Sequence, residues 1–203
     1  MKQGIVNRLL IAAAIVPAIF LLSFAAISVR EVKDFSLKNV DGAMVSLKDY
    51  PNAKGFIIVF TCNHCPFAQL YYKRLNELNA KYAAKGVPLL AISSTDTINY
   101  EDDSFEKMVL KAKREQLNFP YLYDNTQQVA KDFHAQKTPH AYVIWKVDGK
   151  WVVKYSGAID DNGAHAELAN NHYVAAAIDE LLAEKEVSIK DTKSIGCQIS
   201  FRK

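Results

Sequence analysis

Gly55-Phe56-Ile57-Ile58-Val59-Phe60-Thr61-Cys62-Asn63-His64-Cys65-Pro66-Phe67 decides how the rest of this chain is read. Its first six residues are a continuous apolar run, which predicts a strand buried on both faces. Pro66 suits the first turn of a helix, where a missing N–H costs little. Phe67, Leu70, Tyr71, Leu75, Leu78 and Tyr82 then recur at helical spacing until Gly86. Val87 to Ile92 is a second buried strand. Strand, helix and strand in this order predict a parallel βαβ unit, with two cysteines at its first strand–helix junction.

Cysteines two residues apart have three common readings. A zinc site needs a second Cys or His pair at ligand spacing. Only Cys197 remains, with His134, His140, His165 and His172 scattered, so no metal is assigned. Haem attachment of the c type needs His directly after the second Cys, and Pro66 stands there. The third reading is a redox dithiol. A helix N-terminus offers unpaired N–H groups and the positive end of its dipole. Both stabilise a thiolate, and in this setting a cysteine pKa falls to about 3.5–7.5 from about 8.5. Cys62 is therefore expected to attack a client disulfide, and Cys65, deeper in the helix, to resolve the mixed disulfide. Asn63 and His64 lie between the sulfurs as tuning residues. A protonated His64 would favour the Cys62 thiolate and hence the reduced form. That makes the disulfide a better oxidant, by about 30 mV for each 1.4 kcal/mol. The plainer alternative leaves His64 as a surface histidine. A metal-binding or metallochaperone module built on Cys62, His64 and Cys65 ranks last, because ligands crowded on one turn encircle an ion poorly.

Outward from this junction, Asp34 to Asp49 alternates apolar and polar residues around Asp41-Gly42, a hairpin signal. Asn99 to Asp103 reads as a polar loop. Asp103 with Glu106 predicts a capping box for a helix reaching Gln116. Phe119 to Tyr123 is a short strand and Thr126 to Phe133 a short helix. Ala141 to Val147 and Trp151 to Ser156 are strands joined at Asp148-Gly149. Asn171 to Glu184 is the last helix, with Val174, Ala177, Ile178, Leu181 and Leu182 on one face. Tyr71, Tyr72, Trp145 and Trp151 read as packing. A tail, 186–203, contains Gly196-Cys197-Gln198-Ile199.

Half of the 203 residues are hydrophobic, which excludes a disordered chain. Three cysteines are too few for a disulfide framework. The net charge is +3 with Lys and Arg scattered among the acids, so no basic stripe for nucleic acid exists. Leu9 to Val29 is 21 residues without a charge, preceded by Lys2 and Arg8. Residues 1–28 therefore read as a signal peptide or an N-terminal membrane anchor. Ser23-Phe24-Ala25 and Ala26-Ile27-Ser28 both fit signal cleavage, and an uncleaved anchor would face the domain outward. Either form exports the domain to a periplasmic or other extracytoplasmic place, with the membrane touched only through this segment.

Strand, Cys-x-x-Cys, helix, strand and a later Thr138-Pro139 before a hairpin resemble the thioredoxin fold. More narrowly, residues 33–203 resemble the exported thioredoxin-like redoxins of the alkyl hydroperoxide reductase/thiol-specific antioxidant (AhpC/TSA) superfamily. The matching stretches are Asp34-Phe35-Ser36-Leu37, Phe60 to Phe67, Pro120-Tyr121-Leu122-Tyr123-Asp124, Lys137-Thr138-Pro139, Gly157 to Asn162 and Gly196-Cys197. The resemblance implies an α/β thioredoxin fold. Its central mixed sheet would be flanked by helices, with an N-terminal β-hairpin and an extra αβ insertion. It implies an exported thiol–disulfide oxidoreductase without cofactor. Its Cys62–Cys65 pair would exchange with protein thiols and with a separate redox partner. It also implies a cis Thr138–Pro139 bond packed on the dithiol, beside which an extended client could pair. The loop Ile159 to His165 would border that groove. Asp160, Asp161 and Asn162 then either select substrates or form a solvated acidic turn.

Three departures bear on function. Thr61 stands where thioredoxin has Trp. The strand Phe56 to Phe60 lacks the buried carboxylate that assists thioredoxin's second thiol. Val59 occupies the position, three before Cys62, where peroxiredoxins carry Thr. The last argues against efficient peroxide reduction and places a thiol peroxidase second. Cys197 is read as a buried structural cysteine, ahead of a mixed-disulfide partner or a third redox member.

Overall fold

The computed structural model describes residues 30–202. The signal peptide or anchor expected at 1–28 lies outside the described residues. Among these, no helix is long and apolar enough to cross a membrane. The strands are β1 (Glu31–Val32), β2 (Ser36–Asn39), β3 (Met44–Ser46), β4 (Gly55–Thr61), β5 (Leu89–Ser93), β6 (Tyr121–Tyr123), β7 (Lys137–Thr138), β8 (His140–Val147), β9 (Lys150–Gly157) and β10 (Cys197–Gln198). The helices are α1 (Pro66–Gln69), α2 (Tyr72–Tyr82), α3 (Phe105–Arg114), α4 (Gln128–Asp132) and α5 (Tyr173–Leu182).

Eight strands form one mixed sheet in the order β1-β9-β8-β4-β5-β6-β2-β3. β4, β5 and β6 run parallel, and β8 lies antiparallel to β4. The expected N-terminal hairpin, β2–β3, is added antiparallel to β6 at one edge. The expected αβ insertion is α3 with β6. A separate two-stranded pair joins the tail to the proline segment, β10 against β7.

Every residue of β4 is buried. Its side chains alternate between two cores, as a period of two requires. Ile57 and Val59 join Leu75, Tyr82, Val174 and Ile178 on the side of α2 and α5. Phe56, Ile58 and Phe60 join Leu47, Val129, Phe133 and Tyr142 on the side of α4. Each large side chain buried this way contributes roughly 1.5–3 kcal/mol, so the cores fix where the end of β4, and Cys62 after it, must lie.

Two local expectations change. The single helix read from Phe67 to Gly86 is broken at Leu70 and Tyr71 into α1 and α2. Tyr71 N–H bonds to Ala68 O in a tighter turn, and Arg74 Nη2 donates to the Leu70 carbonyl at 3.2 Å. The capping box at Asp103 does not form either. Ser104 is the N-cap of α3, and the Asp103 side chain turns inward with no exposed surface.

Candidate active site

β4 ends at Thr61, and α1 begins at Pro66 with Cys65 as its N-cap. The helix terminus therefore meets Cys65, not Cys62 as the sequence suggested. Both cysteines are free thiols without exposed surface. Both sulfurs reach Thr138: Cys62 Sγ lies 3.1 Å from its hydroxyl, and the Cys65 thiol donates to its carbonyl at 3.1 Å. The Thr138–Pro139 bond is cis, as expected. The Cys65 sulfur also receives the Cys197 N–H at 3.4 Å. Cys62, Cys65 and Ala68 form their own small cluster, with Cys197 packed against it.

The two sulfurs titrate as a pair, shifted in opposite directions. Cys65 is lowered to about 4, chiefly because the Cys62 thiol hydrogen-bonds to it, while burial opposes the shift; the Cys197 thiol and Ala68 amide support the lowering. Cys62 is pushed up by the same bond to Cys65, by burial and by the nearby Asp103 charge. The two sulfurs thus compete for one proton, and ionising either opposes ionising the other. The sequence could place two cysteines at a helix start, but not say which would be the cap.

Asp103 is the functional residue that the sequence missed. Its Oδ1 accepts the N–H groups of Asn63 (2.5 Å) and His64 (3.2 Å), and its Oδ2 pairs with His64 Nδ1. The carboxylate thus holds the residues between the two cysteines. A buried acid does stand beside the dithiol, brought from the loop before α3 rather than from β4. The signal was the acidic run Glu101-Asp102-Asp103, read as the end of a polar loop with Asp103 capping the next helix. His64 is accordingly no lone histidine: its ring pairs with Asp103 and stacks on Tyr100 at 4.2 Å. Asn63 is buried; its Nδ2 donates to Asp102 O, and its Oδ1 accepts from Tyr121 OH. Tyr72, read as packing, also donates its hydroxyl to the Cys62 carbonyl at 3.1 Å. Cys62 Sγ, a His64 ring nitrogen and an Asp103 oxygen lie within 4.8 Å of one another. If any metal is held here, this set replaces the Cys62, His64 and Cys65 set considered from sequence, and the Asp103–His64 bond already occupies two of its members.

A cleft of about 560 Å³ opens beside Pro139, lined among others by Phe67, Leu70, Asp161, Asn162 and Ile195. Asp160 also lines it, but its carboxylate is committed within the fold. It accepts Arg74 Nη1 at 2.7 Å and Tyr71 OH at 3.1 Å. Asp161 accepts the Asn170 and Asn171 N–H groups and the Asn171 side chain, which hold its pKa below the usual range. Asn162 accepts from Arg74 through its carbonyl and from the His165 N–H through its side chain. All three residues reach the cleft wall while tying their own loop together.

A mixed sheet between two helical layers, with a Cys-x-x-Cys pair against a cis-proline segment, defines a thioredoxin-fold protein. A pneumococcal exposed lipoprotein thioredoxin from Streptococcus pneumoniae strain TIGR4 has the same fold. It is 18% identical, with a TM-score of 0.55, and the match covers 75% of this chain and 99% of that one. The AhpC/TSA family model matches residues 29–160, and the chain belongs to that family. It is 27% identical over 128 residues to the thiol-disulfide oxidoreductase ResA of Bacillus thuringiensis subsp. konkukian, covering 63% of this chain and 69% of the relative. A conserved protein from Geobacillus kaustophilus is closer in structure, with a TM-score of 0.78 and 36% identity. That match covers 86% of this chain and 92% of that one.

Proposed function

We propose that this protein is an exported thiol–disulfide oxidoreductase whose Cys62–Cys65 pair cycles between dithiol and disulfide in exchange with protein cysteines. The observation that carries the reading is the convergence of both sulfurs on Thr138, at the end of a fully buried strand and the start of a helix. The name of the ResA relative supports the reaction class. The uncharged stretch after Lys2 and Arg8 supports export. The cleft beside Pro139 is the place for the client chain, with Asp160, Asp161 and Asn162 shaping its wall.

The proton shared by the singly ionised pair supports an order of steps. Cys62 attacks a client disulfide as its proton passes to the Cys65 thiolate, and the client's other sulfur leaves as a thiolate. Cys65 then attacks the Cys62–client bond. The Cys62–Cys65 disulfide forms, and the client's second sulfur leaves with the Cys65 proton. Two electrons have moved from the protein to the client; the reverse sequence oxidises a client dithiol. The test is reduction of insulin, or refolding of a reduced disulfide protein, by the full-length chain. Cys62→Ser and Cys65→Ser should abolish turnover, and Cys65→Ser should trap a client on Cys62. Normal turnover in Cys62→Ser defeats the proposal, and rapid hydroperoxide consumption with sulfenic acid on Cys62 would replace it by a peroxidase.

A further inference from the structure

We propose that Cys197 is a third redox-active thiol. It takes Cys65 from Cys62 by disulfide exchange within the chain and forms the solvent-facing end of a three-sulfur relay. The proposal rests on the dithiol reading above. Cys65 is the shared neighbour: it packs with Cys62 in one cluster, Cys197 packs against that cluster, and the Cys65 sulfur receives the Cys197 N–H at 3.4 Å. Cys62 and Cys65 are wholly buried, whereas Cys197 is partly exposed.

The tail sets the position of this sulfur through its backbone. Cys197 pairs with Thr138, the residue that both other sulfurs touch. An ideal Cβ on Gly196 would overlap the Thr138 carbonyl, so only glycine permits this approach. Beyond the pair, Ile199 is buried in the core beside β4, and its N–H donates to Gln136 O at 2.8 Å. The Ser200 carbonyl accepts from Asp96 N–H at 3.1 Å and from Gln127 Nε2 at 2.7 Å. Cys197 is therefore pinned from both directions against Cys65.

The chemistry needs no added oxidant. In the dithiol state burial and the Cys65 sulfur push Cys197 up to about 11, so it stays a thiol. Once Cys65 is bonded to Cys62, the Cys65 charge is gone and Cys197 ionises more readily. Its thiolate attacks Cys65 Sγ. The Cys65–Cys197 bond forms and the Cys62–Cys65 bond breaks. Cys62 leaves as a thiolate and takes up the proton that Cys197 gave up. One disulfide has replaced another, with no net oxidation. Cys62 is then free, and the disulfide ends at a sulfur that a thiol from solution can reach.

Peptide mapping tests this on the full-length chain. Trypsin leaves Cys62 and Cys65 on one peptide, 55–73, and Cys197 on another, 194–202. A link within the first peptide and a link between the two thus differ in mass. Protein is oxidised with glutathione disulfide, blocked with N-ethylmaleimide and digested without reductant. Cys62→Ser should accumulate the link between peptides. Wild type should show both links, and Cys197→Ser only the one within 55–73. Gly196→Ala, which pushes the tail off Thr138, should lower the link between peptides about tenfold, since disulfides demand close Cβ placement. A Cys62→Ser protein in which Cys65 and Cys197 carry only glutathione or remain free overturns the relay. Should that variant not fold, a wild type without the inter-peptide link at every glutathione ratio overturns it equally. A wild type lacking the link within 55–73 instead removes the dithiol reading itself.

Discussion

Asp103 brings a carboxylate to a place with no exposed surface and offers it two backbone amides and the His64 ring. Buried acids persist only where such donors meet them. Replacing Asp103 with Ala strands both amides, and unfolding in urea should show a loss of about 1–3 kcal/mol. Asp103→Asn keeps an acceptor and removes the charge that raises Cys62. Less repulsion stabilises the thiolate and therefore the reduced form. The Cys62–Cys65 disulfide of this variant should become more oxidising in a glutathione titration, by about 30 mV for each 1.4 kcal/mol; an unchanged or more reducing value would deny Asp103 this role. Cys65 carries its own prediction. Its pKa lies below the ordinary thiol value, so its thiolate is present above about pH 4 and lost as pH falls through that point. Ultraviolet thiolate absorbance should persist in wild type at pH 6 and vanish in Cys65→Ser. Its survival there, with loss in Cys62→Ser, would return the charge to Cys62.

The loop after β9 is held by one side chain from α2. Arg74 donates to Asp160 Oδ2 and to the carbonyls of Asn162 (2.8 Å) and Gly163 (2.5 Å), and its guanidinium stacks on Tyr71 at 3.8 Å. The Asp160 side chain is only 2% exposed, so Arg74→Ala leaves a buried charge unpaired. A cost of about 3–5 kcal/mol follows, and proteolysis should begin within 158–165. A stable variant that resists cleavage there would show the loop to be held by other contacts. This ion pair also marks where the sequence stopped being legible. β4, β5, the two hairpins and α5 follow from apolar periodicity and turn residues, which are local signals. The cis Thr138–Pro139 bond and the sheet order came through the resemblance, because neither is written in a nearby pattern. The inward Asp103, and the docking of Cys197 on Thr138 with its N–H on the Cys65 sulfur, depend on partners 39 to 132 residues away. Asp160 read as a substrate-selecting residue or part of a solvated acidic turn, and Arg74 drew no reading at all, for the same reason: only the fold shows that they meet.

Across the whole molecule, the proline segment is the place where the two cores, the sulfurs and the tail come together, and His140 is the ionisable group at that crossing. It follows Pro139, begins β8 and pairs with Phe60 at the end of β4. Its ring is bonded to Ser156 Oγ and Tyr142 OH, each at 3.2 Å. Burial, and then the charge of Arg30, hold its pKa down to about 4, against about 6.5 for a free histidine. Between those values the unfolded chain binds a proton that the folded chain refuses. Stability is therefore full above about pH 6.5 and declines as pH falls toward 4, by on the order of 3 kcal/mol. Carboxylates held below their usual range, such as Asp161 and Glu180, add acid sensitivity at lower pH. They do so equally in wild type and in His140→Gln, which keeps a polar side chain but cannot titrate. The difference in urea unfolding free energy between the two proteins, followed from pH 7 down to 4, isolates the histidine. Wild type should lose stability against the variant throughout that interval, and the Cys62–Cys65 region should lose amide-exchange protection in parallel, because β8 and β4 share their register at Phe60. Parallel curves for the two proteins would mean that His140 gains its proton without loosening the strand that carries the cis proline.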